Sequence, residues 1–130
     1  MSDKLEWPTF FPANCPPSDA IVATGAGYRF VKNSPPTPAD FASHAEMKRR
    51  FGGDECQACG LSVFRNIEDL NAMRSRVKAF RSQYTAVGDL DTGVVKHTPA
   101  SAPSHHSWWL PVDTFVHENF RVIEAEEIQS

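Results

Sequence analysis

The sequence predicts an α+β domain: a small, mostly antiparallel sheet with two helices, entered through a proline-rich N-terminal arm. Three observations carry this expectation. Short runs of strand-forming residues recur along the chain, and two segments carry helix-start signals. Ten prolines in 130 residues leave long, stiff connections between those elements. A chain of this length supports one domain with a real core. Its expected organisation is an arm over 1–24, a core over 25–125 and a tail over 126–130.

The arm sets Trp7, Phe10 and Phe11 among Pro8, Pro12, Pro16 and Pro17. Such a stretch suits neither helix nor central strand, and its aromatics suit a segment wrapped over the core. Gly25-Ala26-Gly27 then leads into Tyr28-Arg29-Phe30-Val31, a run of strand formers. After Pro35-Pro36, Thr37 is an N-cap, Pro38 stands at the first helical position and Asp40 at the capping-box site. Phe41, His44, Ala45 and Lys48 share one face of the expected helix, which Gly52-Gly53 ends. Gly60 to Phe64 reads as a short strand. Asn66 caps a second helix whose stripe is Ile67, Leu70, Met73, Val77 and Phe80. Gln83 to Leu90 is a further strand, and Asp91-Thr92-Gly93 a turn with Val94-Val95 continuing as a partner strand. A loop from His97 to Pro103 follows, and Phe120 to Ile123 is the last strand.

Composition narrows the function classes. The formal net charge of -3 argues against a general nucleic-acid binder, whose affinity rests on lysine and arginine. Basic residues nevertheless outnumber acidic ones eight to four between Lys48 and Arg81. No apolar run approaches the ~20 residues that span a bilayer, so no membrane partner is expected. The first residues lack the order of a secretory signal. Three cysteines, two of them close together, do not suggest a disulfide framework, and a cytosolic protein is expected.

Two constellations stand out. Ser104-His105-His106-Ser107-Trp108-Trp109 puts two imidazoles beside two indoles. Imidazole carries protons near neutral pH, and indole offers a stiff stacking surface. In a strand, His106 and Trp108 share one face while His105, Ser107 and Trp109 share the other. The second constellation is Cys56-Gln57-Ala58-Cys59, open to three readings: ordinary thiols, two ligands of a structural zinc, or a redox pair. A zinc site needs two further ligands, for which His44 and Cys15 are candidates, with the other histidines further off. No P-loop, GxGxxG, HExxH or nucleophile-elbow pattern is present, and no local pattern supports a Ser-His-acid hydrolase.

The order of the Tyr28-Arg29 strand, a helix, the Gly60-Leu61-Ser62 strand, a second helix and later short strands resembles the ADP-ribosyltransferase-like superfamily. The resemblance implies that Arg29 and Ser62 hold NAD, and that Glu124 orients the ribose as the glycosidic bond breaks. Nothing in the superfamily's pattern calls for the His-His-Ser-Trp-Trp run. The expected catalytic set is therefore Arg29, Ser62, His106 and Glu124, with Tyr28, Arg29, His105, Trp108 and Trp109 around the cofactor. The leading expectation is a domain binding NAD or another nucleotide. Two alternatives are a non-catalytic protein-binding module presenting its tryptophans, and a small nuclease using His105 or His106 with the basic 74–81 face.

Overall fold

A computed structural model describes residues 6–47, 55–99 and 102–123. Among these residues seven strands form one antiparallel sheet: β1 (Ile21–Val22), β2 (Ala26–Val31), β3 (Leu61–Phe64), β4 (Tyr84–Asp89), β5 (Val94–His97), β6 (His105–Trp109) and β7 (Phe120–Val122). Their spatial order is β1-β5-β6-β3-β2-β4-β7. Among the described residues two helices, α1 (Glu55–Ala58) and α2 (Ile67–Arg76), complete the α+β architecture. The class is the expected one, and the sheet is larger than a small one. Among the described residues no helix is long and apolar enough to cross a membrane.

Alternation along the strands divides the apolar residues between two faces. Val31, Leu61, Val63, Ala86, Val95, Trp108 and Phe120 gather on one side with Phe41 and Val116 as the main core. On the other, Phe64 and the half-buried Tyr28 and Phe30 meet Leu70 and Met73 of α2. Further along that face Trp109 and Val94 meet Cys15, Cys59, Trp7 and Phe11. The arm thus covers the part of the sheet that α2 leaves bare. Trp7 stacks on Phe11 with centroids 5.8 Å apart, as its aromatic content predicts.

Three expectations change. The helix expected from Pro38 is a single 3-10 turn, Pro38–Phe41. Asp40 makes its half of the capping box, accepting from Thr37 N at 2.9 Å. The same carboxylate also accepts from Lys32 N at 2.7 Å and Asn33 Nδ2 at 3.1 Å. It is thereby tied to the end of β2. Phe41 is drawn into the core, and Ser43 starts a separate turn by capping Glu46 N at 3.1 Å. The remainder of that expected helix, 48–51, lies outside the described residues.

The second helix begins as expected, with Asn66 Oδ1 accepting from Glu68 N at 2.8 Å, but stops at Arg76 rather than continuing to Phe80. Arg74 turns inward to hold the connection, donating to Phe80 O at 3.0 Å and also to Gln83 O and Thr85 Oγ1. Arg81 donates to Ser75 O at 2.7 Å. The basic 74–81 face is in part the staple of this loop.

The third change is in strand pairing. β5 lies between β1 and β6 instead of pairing with β4. Gly93 makes the crossing with φ +76, and a Cβ there would stand 2.1 Å from Trp109 O. Gly93→Ala combines a disfavoured backbone with a backbone clash. It is expected to cost on the order of 3 kcal/mol, read as a lowered urea midpoint at unchanged slope.

Candidate active site

The central feature is a split in the sheet. β2 pairs with β4 along its whole length, and β3 with β6 likewise. Between β2 and β3 the register holds at Tyr28–Phe64. Beyond it, toward Val31 and Leu61, the two strands line opposite sides of a cavity of about 400 Å³. The segment from Ala39 to Met47 forms another wall. Arg29 bridges the split. Its guanidinium donates to Ser62 O at 2.7 Å and to Asp40 O at 2.8 Å, and stacks over the Phe41 ring at 5.1 Å. A second cavity of about 350 Å³ lies beside the arm, lined in part by Phe10, Phe11 and Leu110. Neither Ser62 nor His105 lines it.

Ser62 is exposed within the split, whereas His105 is 8% exposed. Ser62 stands directly opposite Ser107 on β6, which makes His105 its diagonal neighbour on the same face. His105 Nε2 lies 3.0 Å from Ser62 Oγ. On the far side of the ring, Nδ1 lies 2.8 Å from Thr98 O. A carbonyl only accepts, so Nδ1 carries the proton and Nε2 presents its lone pair to the serine hydroxyl. Thr98 Oγ1 sits 2.9 Å from the same Nδ1 and 3.0 Å from Ser107 Oγ, buttressing the ring from behind. Phe64 packs edge-on against the imidazole with centroids 5.3 Å apart. The result is a serine, a neutral histidine aimed at it and a carbonyl fixing the tautomer.

Burial holds the His105 pKa below the ordinary 6.5, opposed by the Thr98 hydrogen bond and assisted by the charges of His106 and His97. His106 is also lowered, first by burial, against its bond to Ser104 O and with help from Arg65 and His97. Between the folded-state values and 6.5 the unfolded chain binds more protons. Stability is therefore full above about pH 6.5 and is lost as pH falls through the folded-state values. Urea unfolding at about pH 7.5 and about pH 5.5 should show this loss, reduced in His105→Gln.

Of the expected residues, Arg29, Ser62 and His105 converge here, and His44 lines the same cavity. Tyr28 lies elsewhere, packed toward α2. His106, expected to be catalytic, points to the opposite face, stacks near His97 at 5.0 Å and bonds Ser104 O at 2.8 Å. Trp108 and Trp109 are 0% and 1% exposed, and their indole N–H groups donate to Thr92 O and Cys56 O, both at 2.8 Å. Neither ring has a face left for stacking on a ligand. Glu124 lies outside the described residues.

The cysteine pair is also rearranged. Cys56 forms a disulfide with Cys15, 41 residues away, so it offers no thiolate to a metal shared with Cys59. Cys59 is buried beside that bridge. Among the described residues no group of three or more His, Cys, Asp or Glu side chains is placed to hold a metal ion. Sequence reading missed Thr98, whose carbonyl and hydroxyl carry no motif. Comparison with protein-family models, curated proteins and solved structures gave no match.

Proposed function

We propose that the chain is a serine-dependent hydrolase or acyltransferase acting on a small ester. The observation that carries this reading is the 3.0 Å approach of Ser62 Oγ to His105 Nε2 at the wall of an open cavity. Nucleophile and base lie within hydrogen-bond reach, and the base is oriented by a third group, the Thr98 carbonyl. His105 Nε2 takes the hydroxyl proton as Ser62 Oγ attacks the substrate carbonyl carbon. The tetrahedral adduct collapses, the same proton passes from Nε2 to the departing alkoxide, and an acyl ester remains on Ser62. Water or an acceptor alcohol then gives its proton to Nε2 as it attacks the acyl carbon. The second adduct collapses with that proton passing from Nε2 to Ser62 Oγ, releasing the acid or new ester and the free serine. The depressed His105 pKa keeps the base neutral around pH 7, so turnover should be level there and fall on acidification.

A second reading, an ADP-ribosyltransferase-like site for NAD, is favoured by Arg29 and Ser62 meeting at one cavity. The buried tryptophans, which leave no indole face for a nicotinamide or adenine ring, weigh against it. The test is hydrolysis of 4-nitrophenyl acetate by the protein and by Ser62→Ala, beside a thermal-shift titration with NAD. Serine-dependent turnover without an NAD shift is the expected result. An NAD shift without esterase activity would favour the second reading. On compartment, the Cys15–Cys56 bridge supports assembly in an oxidising environment over the cytosol.

A further inference from the structure

Arg29 carries a charge that its surroundings do not neutralise by contact. Burial draws its pKa down to about 10, against the attraction of Asp40, and it is still a cation at neutral pH. Its bonds go to two neutral backbone carbonyls, Ser62 O and Asp40 O. The Asp40 carboxylate attracts Arg29 without a contact within 4.0 Å, its oxygens being engaged by Lys32 N, Asn33 Nδ2 and Thr37 N. Among the described residues the ion pair within 4.0 Å is Lys96 with Asp19, remote from the split. Arg29 Nε is covered from solvent and has no acceptor. A guanidinium has five N–H groups and no acceptor capacity, so the two carbonyls leave donors to spare. Arg29 as a whole is half-buried, and a cation drawn partly out of water without a contacting counter-ion is costly for a fold to hold.

The rest of the cavity has a different character. Phe30, Phe64, Phe80, Met73 and Leu61 provide apolar wall, and Lys32 adds a second cation to a lining that also holds the hydrogen-bonded Asp40. A volume of about 400 Å³ suits a small molecule. Placing an anionic group at Arg29 and an apolar body along the phenylalanines would satisfy both ends.

We infer that the split between β2 and β3 is a binding site for a small amphipathic anion, with its carboxylate or phosphate held by Arg29 and its apolar body on Phe30, Phe64 and Met73. This rests on the reading of the same cavity as the active site and names its substrate class: esters that carry a negative charge. Arg29 is the specificity-determining residue. It supplies a charge-assisted contact that a neutral analogue forfeits.

The test reads binding without turnover, so its failure is separable from failure of the esterase reading. The full-length protein is titrated with benzoate, phenyl phosphate and the neutral benzamide, following the Arg29 Nε–H resonance by NMR. Benzoate or phenyl phosphate is expected to move that resonance and to bind at least roughly tenfold tighter than benzamide, a ratio within reach of one charge-assisted bond. Which anion binds tighter tells carboxylate from phosphate. Arg29→Gln should abolish the preference, and Arg29→Lys should keep part of it. If Arg29→Gln does not fold, the comparison on the unaltered protein decides alone. Equal binding of benzamide and both anions, no binding by any of the three, or an Arg29 resonance unmoved while an anion binds would each overturn the inference.

Discussion

Ser62→Ala is expected to remove esterase turnover by on the order of 10³-fold or more while leaving the melting temperature almost unchanged. The separation follows from burial. Ser62 is exposed at the cavity wall, and deletion of its hydroxyl opens no core void. His105→Gln is the companion. Glutamine can still donate to Thr98 O, but it cannot accept and return a proton, so turnover should fall by about 10²- to 10⁴-fold. His105 is buried and packed on Phe64, so this variant should also lose some stability. His106→Gln provides the contrast: it lies on the opposite face, and turnover should persist. Steady-state rates with 4-nitrophenyl acetate, beside thermal melts of each variant, check all three. Equal turnover in Ser62→Ala and the unaltered protein would remove the nucleophile assignment.

Loss of the Cys15–Cys56 bridge is expected to be the largest single stability change. The bridge closes a loop with a sequence separation of 41, worth about 4 kcal/mol in the chain-entropy account. It also fastens the arm, whose Trp7 and Phe11 pack with Trp109 over an otherwise bare stretch of sheet. Cys15→Ser, or reduction of the unaltered protein, should lower the melting temperature by about 10 °C or more. The arm should then become accessible to protease while the far part of the sheet, β4 and β7, stays protected. A melt that is insensitive to dithiothreitol would show that the arm is held by packing alone.

Much of the fold was legible because its signals are local. Asn66 capping α2, the β3 run after Gly60, the β4 run and the aromatic arm each declare themselves within a few residues. Two local readings gave way to non-local competition. The Thr37-Pro38-Asp40 start is a genuine capping pattern, yet the Asp40 carboxylate is shared with Lys32 and Asn33, and the turn ends at Phe41. The turn at Asp91 to Gly93 suggests a hairpin, but the clustering of Val95 with Trp108 in the core puts β5 beside β6. Cysteine spacing left the pairing open for a similar reason. Cys56 and Cys59 stand three positions apart, with Cys15 named only as a possible ligand beside them, while the disulfide joins Cys56 to Cys15 across 41 residues.

The site was half legible. Strand alternation makes only one of His105 and His106 able to face a given pocket, and it places His105 on the same face as Ser107. Which of the two meets Ser62 is decided by the β3–β6 register, a pairing across 43 residues that no local pattern encodes. Thr98, which fixes the tautomer, is a loop residue on the sequence alone. The tryptophans were conspicuous for their chemistry, but their bulk served the core.

The most direct measurement is covalent labelling with a fluorophosphonate probe, mapped by peptide mass spectrometry. An activated serine should carry the label at Ser62, at a rate that collapses in His105→Gln and persists in His106→Gln. Labelling spread over other serines, or a Ser62 rate unaffected by loss of the His105 imidazole, would contradict the dyad and with it the proposed chemistry.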